Sequence, residues 1–207
     1  MEKRSNNYHD YVIKDGQFIG QFENMYRDCS NPWPEDIKDL EGNPVSCYTV
    51  SLMRKYGFKK VLTVGSGKGL HANWIKTKVP GIQVGGCELS ETAVKYSRSH
   101  YPDISVHCLD VADFGKRSWD FDLILFREVL WYMLPYWQGT ADVLKKNYKG
   151  RHIIIELTFY DDQRYGREYF DGPEDLIKKF PFNIKEVLRH HTTALQRDGM
   201  ILIFGEI

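Results

Sequence analysis

The chain has no apolar run that approaches the roughly 20 residues a membrane-spanning helix needs. Its first residues, MEKRSNNYHDY, carry no apolar stretch after the charges, so we expect no signal peptide and a cytoplasmic protein. The four cysteines form no C-x-x-C pair, which indicates reduced thiols and no metal site. Basic and acidic residues number 28 each, and this balance disfavours nucleic acids and anionic membranes as partners.

Strand-like apolar runs alternate with longer amphipathic stretches from residue 60 onward. The sequence predicts strands at 61–64, 83–87, 105–108, 121–126 and 152–157, and helices at 70–79, 91–100 and 128–146, the last broken at Pro135. The strands are rich in apolar residues throughout, which is typical of strands covered on both faces. This alternation predicts an α/β fold with a parallel sheet and right-handed crossovers.

The two ends of the chain do not follow the alternation. Strand-like runs at 183–189 and 200–206 are joined by too few residues for a crossover helix, so we expect an antiparallel pair at one edge of the sheet. Residues 45–56 predict a helix that packs on the sheet, and the preceding residues are rich in aromatic and turn-forming types. We therefore expect one domain overall, with an N-terminal lid segment at 1–44 and a core at 45–207.

The stretch KVLTVGSGKG at residues 60–69 places three glycines at alternate positions between a predicted strand and a predicted helix. Glycine permits a sharp turn and a close ligand approach, and a helix N-terminus offers free N–H groups. Gly65, Ser66 and Gly67 are therefore candidate ligand-binding residues, although ordinary turns share such short patterns. The spacing differs from the G-x-G-x-x-G of nicotinamide dehydrogenases, and no Tyr-x-x-x-Lys pair follows, which argues against that class.

Acidic residues follow the next two predicted strands. Glu88, next to Leu89, lies 88 − 65 = 23 residues after the first loop glycine, where a carboxylate can accept both hydroxyls of a ribose. Asp110 can accept from an adenine amino group, and the N–H of Val111 can serve a ring nitrogen. Either acid alone could be a loop or helix-start residue. Because they succeed one another at the carboxyl edge of the sheet, they favour an adenosine site.

In these features the chain resembles the class I S-adenosylmethionine (SAM)-dependent methyltransferases. VLTVGSGKG is similar to their first motif, Glu88 to their ribose acid, Asp110-Val111 to their adenine-contacting pair, and FDLILFREVLWYM to their fourth-strand motif. The resemblance covers about residues 45–207. It implies SAM as cofactor and a Rossmann-like, mostly parallel sheet of seven strands in the order 3-2-1-4-5-7-6, with helices on both faces and an antiparallel last strand.

Thr63 departs from the family pattern, which usually has an acid here in V-L-D-x-G that helps orient the methionine amino group. A threonine hydroxyl provides a hydrogen bond but no charge. Backbone carbonyls near Gly65 and from Phe126 or Arg127 are alternative partners for the ammonium, so Arg127 joins the cofactor-binding candidates. Thr63 is also the feature that favours an alternative function, a SAM-binding partner or scaffold with little activity.

Three residues are candidates for the chemistry. Glu128 leaves the fourth strand where the methionine end should lie, and it could act as general base, hold an acceptor amine, or simply begin a helix. Asp28 belongs to the lid sequence FENMYRDCSNPW. His191 suits proton removal near pH 7, although His190 and His191 could equally be a surface pair in a hairpin.

The lid sequence also contains Tyr26 and Trp33. We expect Tyr26 to reach the methionine carboxylate and Trp33 to exclude water, unless the segment is only a surface strap. The pattern F-E-x-x-Y-x-D…N-P-W is similar to the lids of small-molecule methyltransferases, including the nodulation-type aminosugar N-methyltransferases.

The expected acceptor is small and polar. No N-P-P-Y or D-P-P-Y motif follows the fourth strand, which disfavours DNA bases and glutamine as acceptors. The mixture of aromatic and charged residues favours methyl transfer to an O or N of a sugar or a nucleotide-linked saccharide, by a monomer or a homodimer.

Overall fold

The computed structural model describes residues 7–161, 163–192 and 197–207. The N-terminal segment holds a small hairpin and two short helices ahead of the helix that leads into the sheet. Its elements are β1 (Ile13–Lys14), β2 (Gln17–Phe18), α1 (Phe22–Asp28), α2 (Ile37–Gly42) and α3 (Pro44–Tyr56). The core follows with β3 (Lys60–Val64), α4 (Leu70–Lys78), β4 (Gln83–Glu88), α5 (Glu91–His100), β5 (Ser105–Cys108), β6 (Leu123–Arg127), α6 (Leu134–Asn147), β7 (His152–Tyr160), α7 (Pro173–Lys179), β8 (Asn183–Thr192) and β9 (Arg197–Glu206).

The strands from β3 to β9 form one seven-stranded sheet in the order β5-β4-β3-β6-β7-β9-β8. Neighbouring strands from β5 to β7 in this order pair in parallel, and β9 pairs antiparallel with both β7 and β8. This confirms the predicted order 3-2-1-4-5-7-6, the predicted fold class and the antiparallel last strand. Residues 193–196, which fall in the predicted link between the last two strands, lie outside the described residues.

Alternate side chains of the strands enter two helical layers, as the period of two in a strand requires. Leu62 and Val64 pack with residues of α6 and α7, whereas Val61 and Leu125 pack with residues of α3, α4 and α5. Burial of each such aliphatic side chain stabilises the fold by about 1.5–3 kcal/mol. The glycine loop therefore projects from a rigid, fully covered sheet.

Some boundaries differ from the sequence-based predictions. The predicted helix at 128–146 is a 3-10 turn, Leu130–Tyr132, followed by α6 with Pro135 in its first turn, so the predicted break is confirmed. β7 extends beyond its predicted end at residue 157 to Tyr160. The extension pairs with β9, where Thr158 lies opposite Met200, and a partner so distant in sequence gives no local signal.

The N-terminal segment is fixed to the core through α1. The carboxylate of Glu23 accepts hydrogen bonds from Ser90 Oγ at 2.6 Å and from the Thr92 N–H at 3.1 Å. These groups belong to the first turn of α5, so Glu23 supplies acceptors to a helix N-terminus from a different helix. Beneath it, Met25 packs against Ala93 in a separate apolar cluster.

The described residues contain no helix that is both long and apolar enough to cross a bilayer. All four cysteines are free. Cys29 and Cys87 are buried, whereas Cys47 and Cys108 are exposed. The structure therefore holds no disulfide that could contribute to its stability.

A carboxylate on β8 ties the edge of the sheet to α3. Glu186 accepts hydrogen bonds from Lys55 Nζ at 2.7 Å, Tyr48 Oη at 2.6 Å and Tyr56 Oη at 2.9 Å. These bonds, the one from Lys55 first, lower the pKa of Glu186 to about 2. The ordinary value is about 4.3, so this contribution to stability is complete above that pH and is lost as the pH falls towards 2.

We expect Glu186→Gln to lower the free energy of unfolding by about 1 kcal/mol at pH 7, a value reduced for solvent screening. The difference from the wild type should shrink as the pH falls below about 4.3, because Glu186 then takes up a proton in the unfolded wild-type chain while it stays ionised in the folded one down to a pH of about 2. Urea unfolding at several pH values measures both effects. Glu174→Gln, at the exposed ion pair with Arg189, is the matched control. A constant difference from pH 7 to pH 3 would contradict the assignment.

Candidate functional site

A cavity of about 1640 Å³ opens at the carboxyl edge of β3, β4 and β6. Its walls come from the N-terminal segment, the glycine loop, the ends of β4, β5 and β6, and the segment that follows β7. Parallel strands present their carboxyl ends at one edge, and open α/β sheets bind ligands there. The cavity therefore lies where the glycine loop and the strand-end acids predicted it.

In the glycine loop, residues 65–69, two positions without a side chain let Val129 and Tyr26 pack closely on the backbone. Gly65 and Gly67 have φ values of 63° and 55°, in the left-handed region that favours glycine. A Cβ on Gly65 would lie 2.5 Å from Cγ2 of Val129, and a Cβ on Gly67 would lie 2.9 Å from the hydroxyl of Tyr26. Ser66 fixes the turn by donating its N–H to the Cys87 carbonyl at 3.1 Å.

Glu88 ends β4 with its carboxylate against the loop. It accepts hydrogen bonds from the N–H groups of Gly67 and Ser90, each at 2.9 Å. Burial raises the pKa of Glu88, and these backbone N–H donors act in the opposite direction. A carboxylate has about four lone-pair sites, so acceptor capacity remains for the hydroxyls of a ligand.

Leu89, Asp110 and Val111 line the cavity on the β4–β5 side. Asp110 caps the 3-10 turn Val111–Lys116 and accepts from the Ala112 N–H at 2.9 Å. Leu89 is 43% exposed. The exposed Leu89 side chain can pack against the face of a flat ring, while the Asp110 carboxylate and the Val111 N–H can bind polar atoms at its edge. The capping bond uses one oxygen of Asp110 and leaves the other for such a ring.

Tyr26 and Trp33 reach the glycine loop from the N-terminal segment, and both line the cavity. Trp33 Nε1 donates to the Tyr26 hydroxyl at 2.9 Å, and the Trp33 ring lies 5.9 Å from that of Tyr132. Burial and the charge of Glu88 raise the pKa of Tyr26 well above its usual range. The phenol is therefore neutral and keeps its own proton to donate.

Arg127 ends β6 and holds two carboxylates. Its Nη1 donates to Glu35 Oε2 at 3.1 Å and its Nη2 donates to the other oxygen of Glu35. On the opposite side, Arg127 Nε lies 3.2 Å from Oε2 of Glu156, which is fully buried and accepts a hydrogen bond from Thr49. Desolvation opposes the charge of Arg127, but the two carboxylates prevail and raise its pKa.

Thr63 is occupied within the sheet. Its hydroxyl donates to the Gly85 carbonyl of β4 at 3.0 Å. The proton of the hydroxyl is thus used internally, and only its oxygen lone pairs face other groups. Thr63 therefore contributes no charge to the cavity it lines.

Glu128 follows β6 in a strained backbone conformation. Its φ of 53° is in the left-handed region, which costs a non-glycine residue about 1–3 kcal/mol. The carboxylate accepts from the N–H of Thr158 at 3.1 Å and from its hydroxyl at 2.7 Å. Backbone and side chain are thus both held at the cavity wall, and strain of this kind concentrates at functional sites.

The structure does not place Asp28 or His191 on the cavity wall. Asp28 accepts from the Tyr11 hydroxyl at 3.3 Å, within the N-terminal segment. It lies two residues after Tyr26 on α1, which is about 200° around the helix. His191 is exposed on the edge strand β8. Neither residue is brought together with Glu128.

Three residues at the site went unnoticed in the sequence. Glu35 meets Arg127 across 92 residues, and Glu156 lies within an apolar run that predicts only a buried strand. The third, His71, follows the glycine loop. A charged residue within an apolar strand is a usable signal, because such a group is buried only when it is paired. Glu35 and His71 offered no comparable signal.

The site fits an adenosyl group. Gly65, Ser66 and Gly67 line the cavity, and the two glycines add no side chain to it. Glu88 and Asp110 line the same cavity, where their carboxylates can accept hydrogen bonds from the hydroxyls of a ribose and from a purine edge.

Comparison with known proteins agrees with this fit. Residues 61–147 match the family model of the methyltransferase domain. No curated protein sequence matches the chain. Among solved structures, N-methyltransferase NodS from Bradyrhizobium japonicum WM9 in complex with S-adenosyl-L-homocysteine (SAH) is 16% identical, with a TM-score of 0.59 and 98% of each chain covered.

Two further solved structures share the fold. Magnesium protoporphyrin IX methyltransferase (ChlM) from Synechocystis PCC 6803, with bound SAM, is 17% identical with a TM-score of 0.56, over 77% of this chain and 76% of that one. TehB from Haemophilus influenzae is 14% identical with a TM-score of 0.55, over 82% of this chain and 64% of its own. Residues 61–147 thus match a methyltransferase domain, and the chain has the fold of NodS and of ChlM, which were solved with SAH and with SAM bound.

Proposed function

We propose that the chain transfers a methyl group from SAM to an O or N of a small polar acceptor, and that the acceptor is a sugar or a nucleotide-linked saccharide. The observation that carries this proposal is the enclosure of the cavity by the N-terminal segment. The rings of Phe18 and Tyr165 lie 5.8 Å apart, and a Cβ on Gly16 would lie 3.4 Å from Cβ of Arg164. The β1–β2 hairpin thus meets the segment after β7, and the space beside the glycine loop suits a small acceptor.

We propose that residues 1–44 act as a lid over the cofactor. Three contacts of the described part support this role: Glu23 on the first turn of α5, Tyr26 over Gly67, and Glu35 on Arg127. Each contact joins the segment to a different strand end or helix start. A lid held at three points excludes water and fixes the position of an acceptor, which is the main requirement of an in-line transfer.

The residues of the chain have distinct parts in this reaction. SAM, when bound, supplies an electrophilic methyl group on a sulfonium. Glu88 and the loop of Gly65 and Gly67 hold the adenosyl group, while Tyr26 and Trp33 exclude water. Glu128, fixed by Thr158, takes the proton of a hydroxyl acceptor or holds an acceptor amine whose nitrogen lone pair attacks the methyl group. Similarity to the N-methyltransferase NodS favours the nitrogen acceptor among these two.

An acceptor panel tests the proposed function. Purified chain is incubated with methyl-labelled SAM and with neutral sugars, amino sugars, nucleotide sugars, and amines and carboxylic acids of similar size. We expect transfer to members of the saccharide groups. Transfer only to the non-saccharide compounds would contradict the acceptor class. Tight SAH binding without any transfer would instead favour a SAM-binding partner or scaffold.

Glu128→Gln tests the proton-handling role. We expect kcat to fall about tenfold or more, because the amide cannot accept a proton at this position, while the KM for SAM stays within about twofold. Steady-state kinetics with an acceptor from the panel measure both constants. Glu168→Gln, an exposed residue of the segment after β7, is the matched control. An unchanged kcat would show that Glu128 only shapes the backbone.

A further inference from the structure

Three charged or polar side chains line the cavity beside the glycine loop: Glu35, His71 and Arg127. Phe126 is in register with Val64, so Arg127 ends β6 level with the first loop glycine on β3. His71 lies in the first turn of α4, directly after the loop. Glu35 comes from the N-terminal segment and is held there by Arg127.

His71 has an unused hydrogen-bonding group. Its Nε2 is buried and has no hydrogen-bond partner among the described residues. Burial, together with the charge of Arg127, lowers the pKa of His71 well below its usual range. The neutral ring has one nitrogen that accepts and one that donates. Buried polar atoms almost always have a partner, so an unpaired one beside a cavity indicates a ligand group.

Glu35 supplies a negative charge at the same place. Both of its oxygens accept from Arg127, yet a carboxylate has further lone pairs, and the Glu35 side chain is 28% exposed. Glu156 compensates the guanidinium from the sheet side, at 3.2 Å from Arg127 Nε. The cluster of two carboxylates and one guanidinium, beside a neutral imidazole, therefore favours an added cation.

We propose that Glu35 and His71 accept hydrogen bonds from the ammonium group of SAM's methionine end. Thr63, which stands where the related enzymes usually have an acid, brings no charge and uses its proton on Gly85. Glu35 provides that charge from a different part of the chain. This proposal rests on SAM as the cofactor and is independent of the acceptor, so the acceptor panel and the test below fail separately.

The position of Glu35 in the N-terminal segment couples that segment to cofactor binding. It belongs to the segment that covers the cavity, whereas His71 and Arg127 belong to the core. An ammonium held between them strengthens the attachment of the segment to the core, because it bonds to both. Cofactor binding and closure of the segment are thus linked through one residue.

The test compares two ligands in the full-length chain by isothermal titration calorimetry. SAH carries the amino-acid group, and 5′-methylthioadenosine lacks it. We expect Glu35→Gln and His71→Phe each to weaken SAH binding about tenfold and to change 5′-methylthioadenosine binding by less than about twofold. Glu41→Gln on α2 and His100→Phe on α5, both exposed, are the matched controls and should leave both affinities unchanged.

The proposal stands only if the variants lose affinity for SAH and not for 5′-methylthioadenosine. An equal loss for the two ligands, or no loss for SAH, overturns the proposal, because neither result locates the ammonium at these residues. Circular dichroism and thermal melting show whether each variant folds. If Glu35→Gln fails to fold, Glu35→Asp replaces it. If His71→Phe fails to fold, His71→Gln replaces it. Each keeps an acceptor at a changed distance, and we then expect a partial, SAH-selective loss.

Discussion

Removal of residues 1–34 is expected to lower methyl transfer by about 100-fold or more, while the seven-stranded sheet remains folded. The segment places Tyr26 over Gly67 and Trp33 against Tyr132. Without these side chains, water enters and the acceptor loses its fixed position, and a misplacement of about 1 Å can cost 100-fold in rate. The strands of the sheet lie outside the deleted part, so the parallel core keeps its hydrogen bonds.

Turnover with an acceptor from the panel, measured beside the thermal melt and the circular dichroism of the same sample, checks this result. Glu23→Gln is a milder variant that weakens the bonds to Ser90 and Thr92, and it should give an intermediate loss. Asn24→Ala, at the half-buried next residue of α1 whose amide donates to Gln21, is the control. Turnover within about tenfold of the full-length chain would show that the segment is only a surface strap.

Glu88→Ala is expected to weaken cofactor binding by about 1–3 kcal/mol, because the ribose hydroxyls lose their acceptor. This corresponds to about 5- to 150-fold in the dissociation constant of SAH. The structure adds a second contribution, since the N–H groups of Gly67 and Ser90 also lose their acceptor. The loop is then less well fixed before the ligand arrives.

Glu88→Gln separates the two contributions. The amide oxygen keeps one acceptor for a backbone N–H but has no charge, so its effect should lie between those of the wild type and the alanine variant. Glu91→Gln is the matched control, because Glu91 is an exposed acid three residues away that pairs with Lys95. An SAH affinity that is unchanged by Glu88→Ala would refute the placement of the adenosine.

The fold was predictable because its signals are local. Apolar runs with a strand's length, a glycine loop between strand and helix, and Pro135 in the first turn of α6 are each encoded within a few residues. The antiparallel closing pair was predictable for the same reason, since a short link excludes a crossover helix. The extension of β7 to Tyr160 was not, because only pairing with the distant β9 holds it.

The residues of the candidate site also differ in how far local sequence predicts their positions. Glu88 and Asp110 were candidates because they lie at or just after the ends of strands that the sequence indicates, and the structure has both on the cavity wall. Asp28 shares a sequence motif with Tyr26, yet it lies about 200° around the helix from it and does not line the cavity. Spacing in a loop-rich segment does not fix which way a side chain points.

By itself, the sequence determined the alternation of strands and helices, the position of the glycine loop and the acids at the strand ends, because strand ends and tight turns are specified by neighbouring residues, whereas the order of the strands followed from the resemblance to a known family. Only the tertiary structure decided what surrounds the methionine end of that loop. There, Glu35 meets Arg127 across 92 residues, and one nitrogen of His71 has no partner within the part of the chain that the structure describes. Such contacts depend on how a segment folds back over the sheet, and packing rather than local sequence determines that path.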